Sequence, residues 1–391
     1  MSNWEMCRLG QFIGIKHGFA FKGMHITDIP SRYILVTPGN FHIGGGFKAD
    51  KPKYYLEIPP PEYILKGDDI IVTMTDLSKE SDTLGYSAKV PRDGKIYLHN
   101  QRIGLVNFIN TEAHPEFIYW LMRTRDYQSY IVGSASGTSI MHTSPNRIKD
   151  YKFKCPSITE QKAIAGVLSC LDHKIDLLNR QNKILEAMAE TLFRQRFIEE
   201  AQDNWDEGIL SDEFTLIMGQ SPASTSFNEE GIGLPMFQGN ADFGFRFPRN
   251  RVFTTAPTRI AEKFDTLVSV RAPVGAQNMA SEKCCLGRGV AAFRFKADTT
   301  YYTYTYYKLM SHMDEIKLFN DEGTVFGSIG KKDFETIETT IPPMEYIKRF
   351  ENECRPLNDR IINNCCQINK IEAIRDSILP KLMSGEVRVE Y

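Results

Sequence analysis

From position 164 onward the apolar residues fall at alternating spacings of four and three: Ile164, Leu168, Leu171, Ile175, Leu178, Asn182, Leu185, Ala189, Leu192 and Arg196. Eight of these ten are apolar, which is the heptad signature of a coiled-coil seam. The same spacing returns 186 positions later as Phe350, Cys354, Leu357, Ile361, Asn364, Ile368, Ile371, Arg375, Ile378 and Leu382. A helix over 160–197 would rise roughly 55 Å at about 1.5 Å per residue. Neither helix can bury its stripe alone, so the pattern predicts an antiparallel pair. Its centre is Leu171, Ile175, Leu178, Asn182 and Leu185 on one helix, and Leu357, Ile361, Asn364, Ile368 and Ile371 on the other. Asn182 and Asn364 place a polar group in each seam, a device that sets register at some cost in stability. Pro356 lies inside the second pattern and predicts a kink or the true start of that helix.

Ahead of each helix the hydrophobic period shortens. Apolar runs at 33–37, 69–74, 266–271 and Val290–Phe295, separated by Gly and Pro, read as short strands. Aromatic stretches at 116–124 and 301–310 read as helices whose tyrosines belong to the core. The chain also repeats itself. Trp4, Leu9 and Gly18 recur as Trp205, Leu210 and Gly219, Gly39-Asn40 as Gly239-Asn240, Gly137-Thr138 as Gly323-Thr324, and Pro156 as Pro342. The offset falls from 201 (Trp4 to Trp205) to 186 (Pro156 to Pro342), so the first copy carries about fifteen more residues. The expected fold is α+β: two tandem mixed α/β domains, 1–155 and 202–341, each followed by a long helix, 156–201 and 342–391. The two helices pair as an antiparallel coiled coil.

Composition narrows the function by exclusion. Of 391 residues 42% are hydrophobic and 25% charged, ordinary values for a folded chain. No apolar stretch approaches the ~20 residues of a membrane span, and the N-terminus lacks a basic-then-apolar export pattern. Eight cysteines nowhere form C-x-x-C, so reduced thiols in a cytoplasm are expected. With 47 basic and 49 acidic residues the net charge is −2, so any nucleic-acid binding rests on local clusters or on a charged partner. Nucleotide-binding, zinc-protease and nucleophile-elbow motifs are missing; Gly327-Ser-Ile-Gly330-Lys331-Lys332 lacks the spacing and hydroxyl of a phosphate loop. Gly44-Gly45-Gly46 and Asp93-Gly94-Lys95 read as turns. The chain is expected to do no chemistry of its own.

The boundary Pro156-Ser-Ile-Thr-Glu160-Gln161-Lys-Ala-Ile164 with Leu168, Leu171-Asp172 and Ile175, and the C-terminal run 379–389 (LPKLMSGEVRV), resemble the specificity subunit of type I restriction-modification systems. The resemblance covers nearly the whole chain; the second copy departs from the boundary motif, with Glu345-Tyr346 in place of Glu-Gln. It implies a non-catalytic scaffold with two target recognition domains, each reading half of a bipartite double-stranded DNA site, with the helices as a ruler between them. It implies two methyltransferase subunits and restriction subunits as partners, and no membrane. S-adenosylmethionine, ATP and Mg would then belong to those partners, with no cofactor on this chain. The alternative is a duplicated coiled-coil protein-interaction adaptor that reads no DNA.

Two domains reading different half-sites should share phosphate contacts and differ where they meet base edges. The repeated cations Lys48, Lys51 and Lys53, with Arg246, Arg249 and Arg251, are therefore phosphate candidates, or else solvated turn charges. Arg102 and Arg288 are a matched pair that either bind phosphate or pin their own loops. Base readers are expected where the copies diverge. These are Thr73, Thr75 and Lys79 in the first copy, and Gln220, Ser221, Arg271, Gln277 and Asn278 in the second. Asn40 and Asn240, being shared, read as turn residues.

Overall fold

The computed structural model describes residues 4–78, 81–137, 140–320 and 327–390. Lys79, Thr138, Gly323 and Thr324 lie outside the described residues. The chain forms two compact units, one of residues 1–174 with 371–391, the other of residues 175–370. Both long helices therefore contribute to both units.

In the first unit a four-stranded sheet runs in the order Ile13–His17, Ile103–Phe108, Ile70–Thr73, Ser87–Lys89. A five-stranded sheet runs Ile26–Thr27, Lys53–Tyr55, Tyr33–Val36, Ile96–His99, Ile64–Leu65. All pairs are antiparallel except Tyr33–Val36 with Ile96–His99. Between the sheets lie Ile34, Val36, Ile71, Ala88 and Ile103. The strand Glu5–Arg8 pairs with Lys152–Cys155, two residues before the first long helix, Ile158–Arg194. The aromatic helix Pro115–Leu121 buries Phe117 and Trp120 in one core with Ile164 and Leu168 of that helix. Leu379, Leu382 and Met383 of the second long helix, Met344–Ser384, complete this core. Trp4 donates its indole N–H to Glu160 at 2.9 Å, and Arg388 reaches the same carboxylate at 4.0 Å. The tail after the second helix thus lies beside the N-terminal strand.

The second unit repeats this order. Its four-stranded sheet is Phe214–Met218, Val290–Phe295, Thr266–Ser269, Gln277–Met279. Its five-stranded sheet is Phe227–Asn228, Phe253–Thr254, Leu234–Phe237, Cys284–Leu286, Ile260–Ala261, with its one parallel pair at Leu234–Phe237 and Cys284–Leu286. The duplication seen in the sequence is thus a duplication of sheet topology. Tyr304, Tyr306 and Tyr307 of the helix Tyr302–Ser311 are buried, as expected, with Phe193, Phe197 and Phe350 around them.

The heptad seams face inward. Ile175, Leu178, Asn182, Ile361, Asn364 and Ile368 are buried; Leu171, Leu185, Leu357 and Ile371 are half-buried. Within the second unit Asn182 meets Asn364 and Phe193 meets Phe350; within the first, Asp172 meets Arg375. Rising numbers on one helix oppose falling numbers on the other, so the pair is antiparallel. Pro356 neither starts nor ends the second helix, which continues through it. Its missing N–H would have bonded the carbonyl of Asn352, and that residue is on the exposed side of the helix. The motif residue Gln161 is buried and accepts from the backbone N–H of His114, joining the first helix to its aromatic neighbour. In the second copy the equivalent position is Ile347, which is buried, and Tyr346 stands where Glu160 does, packing on Trp205 as Glu160 meets Trp4.

Candidate nucleic-acid interface

The two strands of each parallel pair end at the same sheet edge, and the turns that leave them meet there. In the first domain a Cβ on Gly18 would lie 2.0 Å from the carbonyl oxygen of Asn100; on Gly219 it would lie 2.1 Å from that of Gly287. Only glycine permits this approach between the turn after the first sheet strand and the turn 100–102 or 287–289. A third turn, opened by Gln238, presses on the second, since a Cβ on Gly289 would lie 2.2 Å from the carbonyl oxygen of Gln238. A fourth segment joins through Met74 N–H to the Arg102 carbonyl, and Val270 N–H to the Gly289 carbonyl, both 2.9 Å. The second domain therefore gathers four segments into one edge; in the first, three are held in the same way and Thr37 follows Val36, the pairing partner of His99.

Exposed at this edge are Gln101 and Arg102 in the first domain, with Phe19 at 36% exposure. The second exposes Gln220, Gln238, Arg271 and Arg288. Ser221 accepts from the Arg288 backbone N–H at 3.2 Å and donates to Gln238 Oε1 at 3.2 Å. Arg102, Arg271 and Arg288 make no ion pair among the described residues, so the edge carries uncompensated positive charge. His99, beneath the first edge, is driven by burial to about 4 and is neutral at physiological pH, its Nε2 2.8 Å from the Ile103 carbonyl. Asp76 closes the loop beyond Thr75. Burial would raise its carboxyl, but hydrogen bonds from Thr83 and Ser78 hold it below the usual carboxylate range.

Several expected contacts fall elsewhere. Arg246 is 0% exposed: its guanidinium lies 3.8 Å over the Tyr306 ring and 3.0 Å from Glu186, so it cannot meet a phosphate. Thr73 is buried and donates to the Thr75 carbonyl, while Thr75 meets His142 Nδ1 at 3.1 Å, so both hold the loop instead of facing outward. Gln277 donates to the Tyr306 carbonyl and buried Asn278 to that of Gly244; they tie their strand to the helix Tyr302–Ser311 and to the turn at Gly244. Lys53 pairs with Asp28 and Arg251 with Asp242, both on the surface. Lys51 and Arg249 are exposed, Lys48 half-buried, and none of the three has an ion pair among the described residues. Asn40 is a turn residue: its Oδ1 accepts from Thr37 N–H and its Nδ2 donates to the Lys48 carbonyl.

Two sequence matches are also out of register by one. Lys53 opposes Leu35, but Val252 opposes the equivalent Met236, so Lys53 corresponds to Val252 and not to Arg251. His99 pairs with Val36 and Leu286 with Phe237, which sets Gln101 against Arg288 and Arg102 against Gly289. A one-residue slip turns a side chain to the other face, so neither cation pair is a true repeat. Phe19, Gln101 and Gln238 were missed by sequence reasoning; their signal is that each stands as far past its strand end as its counterpart in the other copy, two residues for Phe19 and Gln101 and one for Gln238.

The chain matches the family model described as the type I restriction modification DNA specificity domain over residues 1–187 and 202–355. The chain belongs to this family. It is 31% identical, over 75% of its length and 73% of the relative's, to a Methanocaldococcus jannaschii protein named for the type I restriction enzyme MjaX specificity subunit. It is 22% identical, over 99% of its length and 94% of the relative's, to the MjaVIII specificity subunit of the same organism. Its fold is similar, at a TM-score of 0.61 and 18% identity, to the type I restriction-modification S subunit from M. genitalium, covering 97% of this chain and 96% of that one. This type I specificity subunit is therefore a non-catalytic DNA-specificity component with two recognition domains, and the adaptor reading falls away. Among the described residues no acidic, histidine or cysteine cluster could hold a metal, and no helix is long and apolar enough to cross a membrane.

Proposed function

We propose that each recognition domain presents its four-segment edge to one half of a bipartite double-stranded DNA site. Arg102, Arg271 and Arg288 supply local positive charge there, and Lys48, Lys51 and Arg249 add phosphate contacts from the neighbouring turn. The observation that carries this reading is one edge built twice on the same strand order, with different exposed side chains on each. A shared frame with differing side chains is what two unlike half-sites require. Each unit also combines one domain with segments of both helices, which supports docking of two methyltransferase subunits in similar ways. Restriction subunits join that complex; S-adenosylmethionine, ATP and Mg are held by the partners, and the assembly works in the cytoplasm. The test is to replace residues 202–341 with the equivalent domain of a relative and to sequence the methylated sites. One half of the recognised sequence changes and the other stays; a change in both halves, or in the gap alone, refutes the reading.

A further inference from the structure

Three positions on the two edges correspond one to one by backbone pairing. Phe19 and Gln220 each donate their backbone N–H to an equivalent carbonyl, that of His99 and that of Leu286. Thr37 and Gln238 each follow the strand of the parallel pair, one residue past Val36 and Phe237. Gln101 and Arg288 occupy the middle of three-residue turns closed alike, by Ile103 N–H to Asn100 and Val290 N–H to Gly287. The backbone is common at the first and third positions; at the second, Thr37 caps the short helix Pro38–Asn40 while Gln238 stands one residue before Gly239, the cap of Asn240–Asp242. The side chains are Phe, Thr and Gln in one domain and Gln, Gln and Arg in the other.

We infer that these three positions are the specificity-determining positions of each domain, and that Gln238 and Arg288 read purine edges in the half-site of the second. This rests on the DNA-reading function proposed above. Arg288 is exposed with no ion pair among the described residues, so its fork is free for the O6 and N7 of guanine. Gln238 is exposed with its Oε1 oriented by Ser221. Its Nε2 donors have no partner among the described residues, and the carbonyl keeps a second lone pair, which together match the N7 and N6 of adenine. Ser221 is a positioning residue, since it touches both the turn of Arg288 and the amide of Gln238.

The test uses the methyltransferase complex assembled with the full chain, acting on a randomised duplex library. Arg288→Gln installs the residue that the first domain carries on the same turn, and Gln238→Thr changes an exposed side chain just past a strand, so the fold tolerates both. Each should cut discrimination at one base pair of the second half-site by roughly five- to a hundredfold, leaving the first half-site unchanged. Ser221→Ala should weaken discrimination at the base pair affected by Gln238→Thr. Arg288→Lys keeps the charge but not the fork, so it should keep the salt dependence of binding and lower the guanine preference less than Arg288→Gln does. Full methylation with unaltered preference in both Gln238→Thr and Arg288→Gln overturns the inference, as does a loss of affinity in Arg288→Gln that falls equally on every base pair, the mark of a phosphate contact. If the exchange of residues 202–341 changes a half-site while these variants do not, only the residue assignment fails. If the exchange changes nothing, the DNA-reading function fails with it.

Discussion

Asp172 stands on the first long helix between two guanidiniums, Arg123 at 2.7 Å and Arg375 at 2.6 Å. Arg123 is buried, stacked 4.4 Å over the Trp120 ring, and donates to the carbonyls of Gly44 and Gly45 as well. Burial alone would raise the Asp172 carboxyl; the charges and hydrogen bonds of Arg123 and Arg375 outweigh it and hold the group below its ordinary value. A depressed carboxyl contributes stability above its unfolded pKa of about 3.9 and loses it as pH falls through the lower folded value. Asp172→Asn removes this contribution and leaves two guanidiniums without their shared counter-charge, at a cost of about 3 kcal/mol near neutral pH. Urea unfolding at pH 7 and at pH 3 measures both effects: the gap between wild type and variant should narrow in acid. A gap that is constant with pH would show that the carboxylate charge is not what matters.

The long helices are built on a strict heptad period, and one buried polar pair interrupts it. Asn364 donates to Asn182 Oδ1 at 2.9 Å, and Asn182 donates to Cys365 Sγ at 3.5 Å. Replacing Asn364 alone by Leu strands the Asn182 carbonyl in an apolar seam, a loss of about 1–3 kcal/mol. The double replacement Asn182→Leu with Asn364→Leu removes both polar groups and should recover most of that loss. The non-additivity, read from denaturation midpoints of the four proteins, reports the coupling. Simple addition of two costs would mean that the asparagines do not act as a pair.

Each compact unit takes residues from distant parts of the chain. The first closes its core with Leu379, Leu382 and Met383, which follow its own domain by more than two hundred residues. At about 1.5–3 kcal/mol for each buried side chain, these three supply a share comparable to the whole stability of a typical domain, about 5–15 kcal/mol. Truncation after Lys370 removes them and leaves all residues of the second unit in place. Hydrogen exchange should then lose protection in Ile103–Phe108 while Thr266–Ser269 keeps it. Equal protection in both units would show that the C-terminal segment is dispensable to the first core.

What the sequence by itself determined were the features with a local period or a self-match: two heptad helices, the strands at 33–37 and Val290–Phe295, and the duplication of a domain-plus-helix unit. Those arise from hydrophobic spacing, which one chain segment carries alone. Tertiary structure alone decided which polar residues are free. Arg246 and Arg249 look alike in sequence, but among the described residues only Arg246 has an acid, Glu186, sixty residues away to bury it against. Gln277 and Asn278 resemble amide readers, yet neighbouring carbonyls consume their donors. The equivalence of Gln101 with Arg288 depends on which strand residues pair, and pairing is a long-range choice that sequence similarity blurs by one residue. The proposed reading edge, assembled from separated segments, has no local period, so it becomes visible only when the sheets bring those segments together.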